Sequence, residues 1–559
     1  MTKTPTCLGL HIGHDRGITI IQNGQLGFHI AVERLDREKH SDSPNLPIDA
    51  IRRVLHRLSV PAGEISAVSV TYHGVVADRI SSTLEADFRA AFPDYAGTFS
   101  ALDHHLAHAL GALACSPFDE ATVFVADGAG DVRLWGSQSE SLFHVSRKHF
   151  YLLDERVQDR PSSLVHRPEF FDTHFFSPED QKRQISIGLK YEQLTYLCGF
   201  GPGQAGQTMA LSGHGAALFD VEPYLPNNFG FSLRYVDLLD RITEIALQNG
   251  STLRQFAQQR RADIAATAQS YLQSALARLV KYIVRTYNPT NLCFSGGVFL
   301  NCATNHDISV NHPDRGLFFL PACHDEGQSL GAAAYAHWQL TSSLPSVTGE
   351  FPYLGFEYSQ EECEAAFVQA GLSFERLDDR GLASRVAALI ANGLICGVLR
   401  GRSETGPRAL GHRSILADPR TLQSKVRLDR AIKRREEFRP YAPMVLLSRL
   451  SDYFEPQGES PYMLLTSRVK PCGGDHLPAV VHVDNTARLQ TVSPDDDIFL
   501  CALLTQFEQQ TGVAVLLNTS FNDESEPMVE SPGDAIRTFN STDLDALVLG
   551  SALHIKPRS

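Results

Sequence analysis

The sequence predicts an α/β protein of two domains, the first built on a duplicated sheet. Three observations carry that reading. Short apolar runs alternate with stretches of helical period along the 559 residues. Two apolar hairpins, each with a turn of Gly and Asp, occur in the first quarter of the chain. A stretch of Ser, Thr, Pro and Gly at 341–352 reads as a linker.

In chain order, the apolar run 7–12 enters the turn Gly13-His14-Asp15-Arg16-Gly17 and leaves through 18–21. Asn23-Gly24 is a strong hairpin signal and 26–32 supplies a third strand. The charged run 33–40 reads, taken alone, as a solvated turn. Residues 47–58 form a helix with Ile48, Ile51, Val54, Leu55 and Leu58 inward, and 68–72 a strand. Asp103 then suits a helix N-cap. It places His104 and His108 at i and i+4 on one helical face, the spacing two imidazoles need to share a metal ion. A buried strand at 121–126 ends in Asp127-Gly128-Ala129-Gly130-Asp131. Carboxylates beside glycines at a strand end can approach a metal or a phosphate. Residues 132–136 are expected to return as the second arm of this hairpin. The aromatic-rich stretch 140–180 suggests no element.

Between 188 and 215 glycines accumulate, which lets backbone approach a ligand. A long amphipathic helix spans 263–287 and is stopped by Asn288-Pro289. The strand 292–294 meets Ser295-Gly296-Gly297 and a helix expected at 298–304; a glycine turn at a helix N-terminus is an anion or nucleotide site. After the strand 317–320, Asp325 offers a further metal carboxylate, and a helix of small residues spans 327–340.

Beyond the linker, helices are expected near 359–370 and 382–392, with Gly393 at a C′ position. The strand 395–399 leads into 401–416, where three arginines, two serines and three glycines suggest an oxyanion cradle. Residues 425–439 add seven basic residues, alternatively a solvated helix face. Arg439-Pro440-Tyr441-Ala442-Pro443 is stiff. A strand at 513–517 delivers Asn518-Thr519-Ser520-Phe521-Asn522, whose amides and hydroxyls can bind phosphate or a reactive carbonyl.

Composition narrows the partners. The net charge of −14 makes nucleic acid an unexpected partner. The ten cysteines include no C-x-x-C pair, against zinc ribbons or a secreted disulfide framework. No apolar run reaches membrane-span length, and the first residues lack a signal-peptide core. A cytoplasmic location without a membrane partner is therefore expected. A homodimer is left open.

The opening meander resembles the start of the ASKHA fold of sugar kinases, actin and Hsp70-type ATPases, whose first hairpin turn faces nucleotide phosphates. More specific are Asp103-His104-His105-Leu106-Ala107-His108-Ala109, the block 403–420, Arg435-Glu436-Glu437-Phe438-Arg439-Pro440 and Asn518-Thr519-Ser520-Phe521-Asn522. Together they resemble the NodU/CmcH carbamoyltransferase family across nearly the whole chain. That resemblance implies an ASKHA-type metal- and nucleotide-binding transfer domain over 1–345. Over 353–559 it implies a YrdC-like α/β domain that makes carbamoyl adenylate from carbamoyl phosphate and ATP with Mg(II). It assigns His104, His108, Asp127 and Asp325 to a metal, usually Fe(II), with zinc or another divalent ion as alternatives. It assigns Arg408, Lys433, Arg439, Arg488 and Ser520, with Asn518 adjacent, to the YrdC-like site. His14 and Lys39 match positions near the transfer centre, His14 as the candidate base, so Lys39 is not left to solvent. A first-domain nucleotide is expected near Gly128, Ser295, Gly296, Gly297 and Asn301. The implied activity is ATP-dependent O-carbamoylation of a small natural product, as in antibiotic biosynthesis. A tRNA or protein acceptor, or a non-catalytic nucleotide-binding regulator, are the competing readings. Two positions depart from the family: Gln207 stands for a lysine in Gly206-Gln207-Thr208-Met209-Ala210-Leu211-Ser212, and His412 for an asparagine.

Overall fold

The computed structural model describes residues 4–557 apart from 73–76, 134–135, 159–185, 227, 230–237, 456–457 and 475. The chain divides into two compact units, Met1–Leu26 with Asp42–Val347, and Gly27–Ser41 with Thr348–Ser559.

Two six-stranded sheets use the first twelve strands, all of them in the first unit except Gln25–Ala31, most of whose residues fall in Gly27–Ser41. These strands are β1 (Thr6–Ile12), β2 (Gly17–Gln22), β3 (Gln25–Ala31), β4 (Ile65–Tyr72), β5 (Thr98–Ala101), β6 (Glu120–Ala126), β7 (Val132–Arg133), β8 (Gly136–Ser146), β9 (Phe150–Gln158), β10 (Asn291–Ser295), β11 (Gly316–Phe319) and β12 (Ser346–Val347). One sheet runs β12-β3-β2-β1-β4-β5; the other runs β11-β10-β6-β8-β7, with β9 also on β8. β1 is antiparallel to β2 and parallel to β4, which is parallel to β5. β6 is antiparallel to β8 and parallel to β10, which is parallel to β11. The same pattern thus occurs twice, which is the duplicated core of the ASKHA fold.

Three local expectations need correction. The hairpin partner of β6 is β8, paired from Glu120↔Ser146 to Ala126↔Glu140, while Val132 and Arg133 pair with β8 instead. The longer ladder takes the register, and the acidic turn is folded back on it through Gly130 N to Gln138 O. The helix expected at 298–304 is a 3-10 turn, Gly297–Leu300, followed by the helix Cys302–Asn311. Asn301 interrupts it, because its side chain caps Thr304 N and an N-cap residue is not helical. The linker stretch carries β12, which pairs with Gln25 and Leu26. Part of the unassigned stretch is β8 and β9; the rest lies outside the described residues.

The helix His104–Cys115 is buried on almost every side and packs on the helix Gln328–Thr341. Small residues permit that approach: a Cβ on Gly331 would run into the Ala107 carbonyl.

The second unit is one sheet of β13 (Glu375–Arg376), β14 (Cys396–Leu399), β15 (Arg413–Ala417), β16 (Ala442–Leu446), β17 (Leu465–Arg468), β18 (Thr486–Val492), β19 (Val515–Ser520), β20 (Ala546–Leu549) and β21 (Ala552–Ile555). Its order is β13-β21-β20-β14-β15-β19-β16-β18-β17. Asn518 and Ser520 therefore sit inside a strand, opposite Leu416 and Ser414, rather than beyond its end. The charged run 33–40 is solvated at its end, where Glu38, Lys39 and His40 are exposed, but its arginines are not left to solvent. Arg34 is buried and donates to Gly406 O, while Arg37 and Lys39 bind carbonyls of the segment 524–528. Guanidinium and ammonium groups satisfy carbonyls that would otherwise lack donors.

Among the described residues, no helix is long and apolar enough to cross a membrane.

Candidate metal centre and anion site

Asp103 caps its helix by accepting from Leu106 N at 2.8 Å, which turns His104 and His108 inward together. His104 N also donates to Asp131 Oδ2 at 3.1 Å. Asp127 arrives from the end of β6, and Asp325 from the 3-10 turn after β11. Asp127 Oδ2 lies 3.3 Å from Nε2 of both histidines. Asp325 Oδ1 lies 3.6 Å from His104 Nε2 and 3.4 Å from His108 Nε2. One ligand atom from each of the four residues falls within 4.8 Å of all the others. His108 Nδ1 is 3.1 Å from Ser295 Oγ, and its buried Nε2 has no hydrogen bond. Two imidazole nitrogens and two carboxylate oxygens converging in a buried space fit a divalent cation, and the set suits Fe(II) or Zn(II). The carboxylates are held ionised, and His104 gives up a proton when it ligates a metal. Burial works against ionising Asp325, yet His104, His14 and His108 hold its carboxyl well below the usual carboxylate range. Burial likewise opposes a charged His104, but Asp325, Asp127 and Asp131 push it up to about 9.

A second ring of groups surrounds this centre. His14 Nε2 is 3.3 Å from Asp325 Oδ2, and its Nδ1 is 2.5 Å from Asp15 Oδ2. Asp15 also meets His324 Nδ1 at 2.9 Å, and His11 Nε2 stands 3.9 Å from Asp325 Oδ2. The structure thus brings His14 to the metal group. Asp15, His11 and His324 are functional candidates to which the sequence reading gave no role, and Asp131 of the acidic turn binds His104 N. Their signal was adjacency: Asp15 follows His14, and His324 precedes Asp325.

The expected nucleotide residues have their own local partners. Gly128 N donates to Asp127 Oδ1 and Gly128 O accepts from Ser186 Oγ, both at 2.7 Å. Gly296 has φ +99° and its Cα faces the Ala126 backbone, so only glycine fits. Gly297 lies beside Asp127 and His324. Asn301 exchanges amide bonds with Gln269 at 2.9 and 3.1 Å and receives Thr304 N. Its carboxamide is therefore engaged within the protein. Gln207 is buried in the helix Ala205–Ser212.

In the second unit, a π-helical turn, Leu428–Lys433, ends on a buried lysine. π-turns cost hydrogen-bond geometry and recur at functional sites. Lys433 Nζ donates to Ser520 O (2.5 Å), Ser520 Oγ (3.1 Å), Asn522 O (2.8 Å) and Asn522 Oδ1 (2.7 Å). Burial, then Arg435, Arg439 and Lys39, holds its pKa well below the ordinary lysine value. An anion entering this group would relieve that crowding of cations. Arg435 lies over the Tyr441 ring, 4.0 Å from its centroid, and 3.3 Å from Asp429 Oδ1. Lys39 donates to Glu524 O at 2.8 Å, within this unit.

Arg408 rides on a loop held from several sides. Asn518 Nδ2 donates to Ala409 O at 3.0 Å and to Gln490 Oε1 at 2.7 Å, and Gln490 Nε2 to Leu410 O at 2.7 Å. Glu404 Oε1 accepts from the N–H groups of Leu410, His412 and Arg413. Arg488 is two residues before Gln490 on β18. Asn518 thus positions the loop with its amide. The expected three-arginine cradle does not form as such. Arg413 is fully buried and donates to the carbonyls of Arg400, Gly401, Phe356 and Glu530. Arg402 does the same for Gly355, Leu354 and Gly27. Both serve the fold, because their planar forks match clustered carbonyls. His412 stacks on Tyr353 at 3.7 Å and links Arg402 O to Asp497 Oδ2.

Residues 94–334 match the family description "Carbamoyltransferase N-terminus", and residues 387–556 match "Carbamoyltransferase C-terminus". The chain is 33% identical to nodulation protein NolNO of Sinorhizobium fredii, across 98% of this chain and 79% of that protein. The chain belongs to the NodU carbamoyltransferase family. Nodulation protein NolO of Bradyrhizobium diazoefficiens is 35% identical, across 81% of this chain and 78% of that one. Among solved structures, full-length HypF in its phosphate- and nucleotide-bound form aligns with TM-score 0.41 at 14% identity, over 61% of this chain and 56% of that one. As a NodU-family member the protein is a carbamoyl-transferring enzyme. The first matched segment contains His104, His108, Asp127 and Asp325; the second contains Arg408, Lys433, Arg439, Arg488 and Ser520. His14 and Lys39 precede both.

Proposed function

We propose that this enzyme transfers a carbamoyl group from carbamoyl phosphate to a hydroxyl of a small natural product, at the expense of ATP and through carbamoyl adenylate. The observation that carries this reading is the presence in one chain of two chemically different sites. One is an imidazole–carboxylate cluster; the other is a buried lysine crowded by arginines.

In the second unit, Lys433, Arg408, Arg439 and Arg488 bind the phosphate groups of carbamoyl phosphate and Mg-ATP. Ser520 and Asn518 hold the surrounding backbone in register. Water releases phosphate from carbamoyl phosphate and leaves carbamate. A carbamate oxygen then attacks the α-phosphorus of ATP, breaking its bond to the β-phosphate bridge and releasing pyrophosphate. In the first unit, the turn at Gly296 and Gly297, with Ser295, Gly128 and Asn301 around it, accommodates the adenylate. His104, His108, Asp127 and Asp325 would hold an Fe(II) or zinc ion, which supplies Lewis acidity toward an oxygen. Burial opposes a charge on His14, but Asp325 and Asp15 push its pKa up to about 9. It is therefore the neutral minority form that takes the proton of the acceptor hydroxyl as its oxygen attacks the carbamoyl carbon and AMP leaves. A mixed anhydride hydrolyses in water, so a cytoplasmic enzyme of this kind gains from sheltering it.

Full-length protein with carbamoyl phosphate and Mg-ATP should release pyrophosphate, and addition of an acceptor should add AMP and a carbamoyl ester visible by mass spectrometry. Absence of ATP consumption would overturn the reading and favour a nucleotide-binding regulator. Transfer only to tRNA or a protein would keep the first step and replace the acceptor.

A further inference from the structure

Arg37 comes from the short segment Gly27–Ser41, which belongs to the second unit although hundreds of residues precede the rest of it. It has a left-handed backbone, φ +65°, at the end of the helical turn Glu33–Asp36. Its side chain is 20% exposed. Nη1 donates to Met528 O at 2.8 Å. Nη2 donates to Pro527 O at 2.9 Å and Glu526 Oε2 at 3.0 Å. Nε stands 3.7 Å from Asp534 Oδ1. One guanidinium therefore gathers three consecutive residues of a single loop.

That loop leads straight to Lys433. Glu526 O accepts from Asn522 Nδ2 at 2.7 Å. Asn522 Oδ1 in turn accepts from Lys433 Nζ at 2.7 Å and Ser520 Oγ at 2.6 Å. Two residues after Arg37, Lys39 ties down Glu524 O of the same loop. The Phe521–Val529 backbone bond closes the base of the loop. The planar fork of Arg37 is pre-organised to hold two carbonyls and a carboxylate of this loop together.

We propose that Arg37 is a positioning residue for the Lys433 anion site, acting through the relay Arg37, Glu526, Asn522, Lys433. The inference rests on the reading of that site as the binder of carbamoyl phosphate and ATP. Its consequence is that a residue near the chain start governs the first chemical step, although it lies outside both segments matched by the family descriptions.

The test uses full-length protein with Arg37→Ala, Arg37→Lys and, as a control of ordinary ion-pair loss in the same unit, Arg427→Ala, which pairs with Asp543 and Asp545. Pyrophosphate release is measured against carbamoyl phosphate concentration. KM should rise on the order of tenfold in Arg37→Ala, the size of losing charge-assisted hydrogen bonds, with a smaller fall in kcat. Arg37→Lys should fall between, since an ammonium lacks the fork. Arg427→Ala should lose some thermal stability and keep KM. A purely structural Arg37 would lower stability and leave KM alone, which overturns the proposal. If Arg37→Ala does not fold, Arg37→Lys decides by the same criterion. If wild-type protein releases no pyrophosphate, the functional reading fails by itself. Calorimetric binding of pyrophosphate then replaces KM, and equal affinity in wild type and Arg37→Lys overturns the relay.

Discussion

Ser295 Oγ stands 3.1 Å from His108 Nδ1, at the end of a strand that pairs with the one delivering Asp127. The hydroxyl fixes the ring so that Nε2 faces the two carboxylates. Metal-bound histidines generally depend on such a partner at the other ring nitrogen.

Ser295→Ala should therefore weaken metal affinity by about 10- to 100-fold without removing a ligand. Competition with a chelator of known affinity measures this directly. His104→Ala combined with His108→Ala should leave the purified protein without bound iron or zinc by elemental analysis. Full occupancy in that double variant would refute the assigned ligand set.

The two sites use different residues, so their half-reactions should separate. Arg408→Ala is expected to abolish carbamoyl adenylate formation while leaving use of supplied adenylate intact. His108→Ala should make adenylate and fail to modify the acceptor. The opposite pattern would mean that the activities are assigned to the wrong units. Loss of both steps in both variants would show that the sites depend on each other.

Arg413 should behave as a structural residue rather than an anion ligand. It is fully buried, bonded to carbonyls, and 3.7 Å from the buried Glu530 carboxylate. Arg413→Ala is expected to cost about 3–5 kcal/mol of stability, because it strips donors from buried carbonyls and leaves Arg34 as the remaining guanidinium against Glu530 among the described residues. Chemical denaturation checks it. A variant of native stability with weakened phosphate binding would reverse the assignment.

Asp497 gives a pH signature. Burial opposes its ionisation, but His412 at 2.8 Å and Leu500 N, which it caps, lower its pKa below the ordinary 3.8. A depressed folded-state pKa means that the unfolded chain binds the proton first as pH falls. The contribution is thus complete above the unfolded carboxylate value and lost as pH falls through the lower folded one. Asp497→Asn should cost about 1.5–3 kcal/mol at pH 7, and the gap to wild type should begin to narrow near about pH 4 and close only below the folded-state value. A gap independent of pH would exclude the ion pair as its source.

Local rules made much of the protein legible in its sequence. An N-cap and an i, i+4 histidine pair are decided within one helical turn, and strands such as β1, β6 and β10 within a few residues of apolar pattern. So the residue types of the metal group, and the basic stretch 425–439 that holds Lys433, could be named from the chain alone. Which residues meet across the fold could not. Arg408 and Arg413 sit five positions apart in one basic loop, and only the sheet shows that Arg413 is consumed by carbonyls. Val132 and Arg133 look like a hairpin arm until β8 offers β6 a longer ladder. Arg34 and Arg37 look solvated because their partners include the carbonyls of Gly406, Pro527 and Met528, which carry no side-chain signature in a sequence. Pairings across hundreds of residues depend on topology and on the satisfaction of buried backbone groups, and these exist only once the chain has folded.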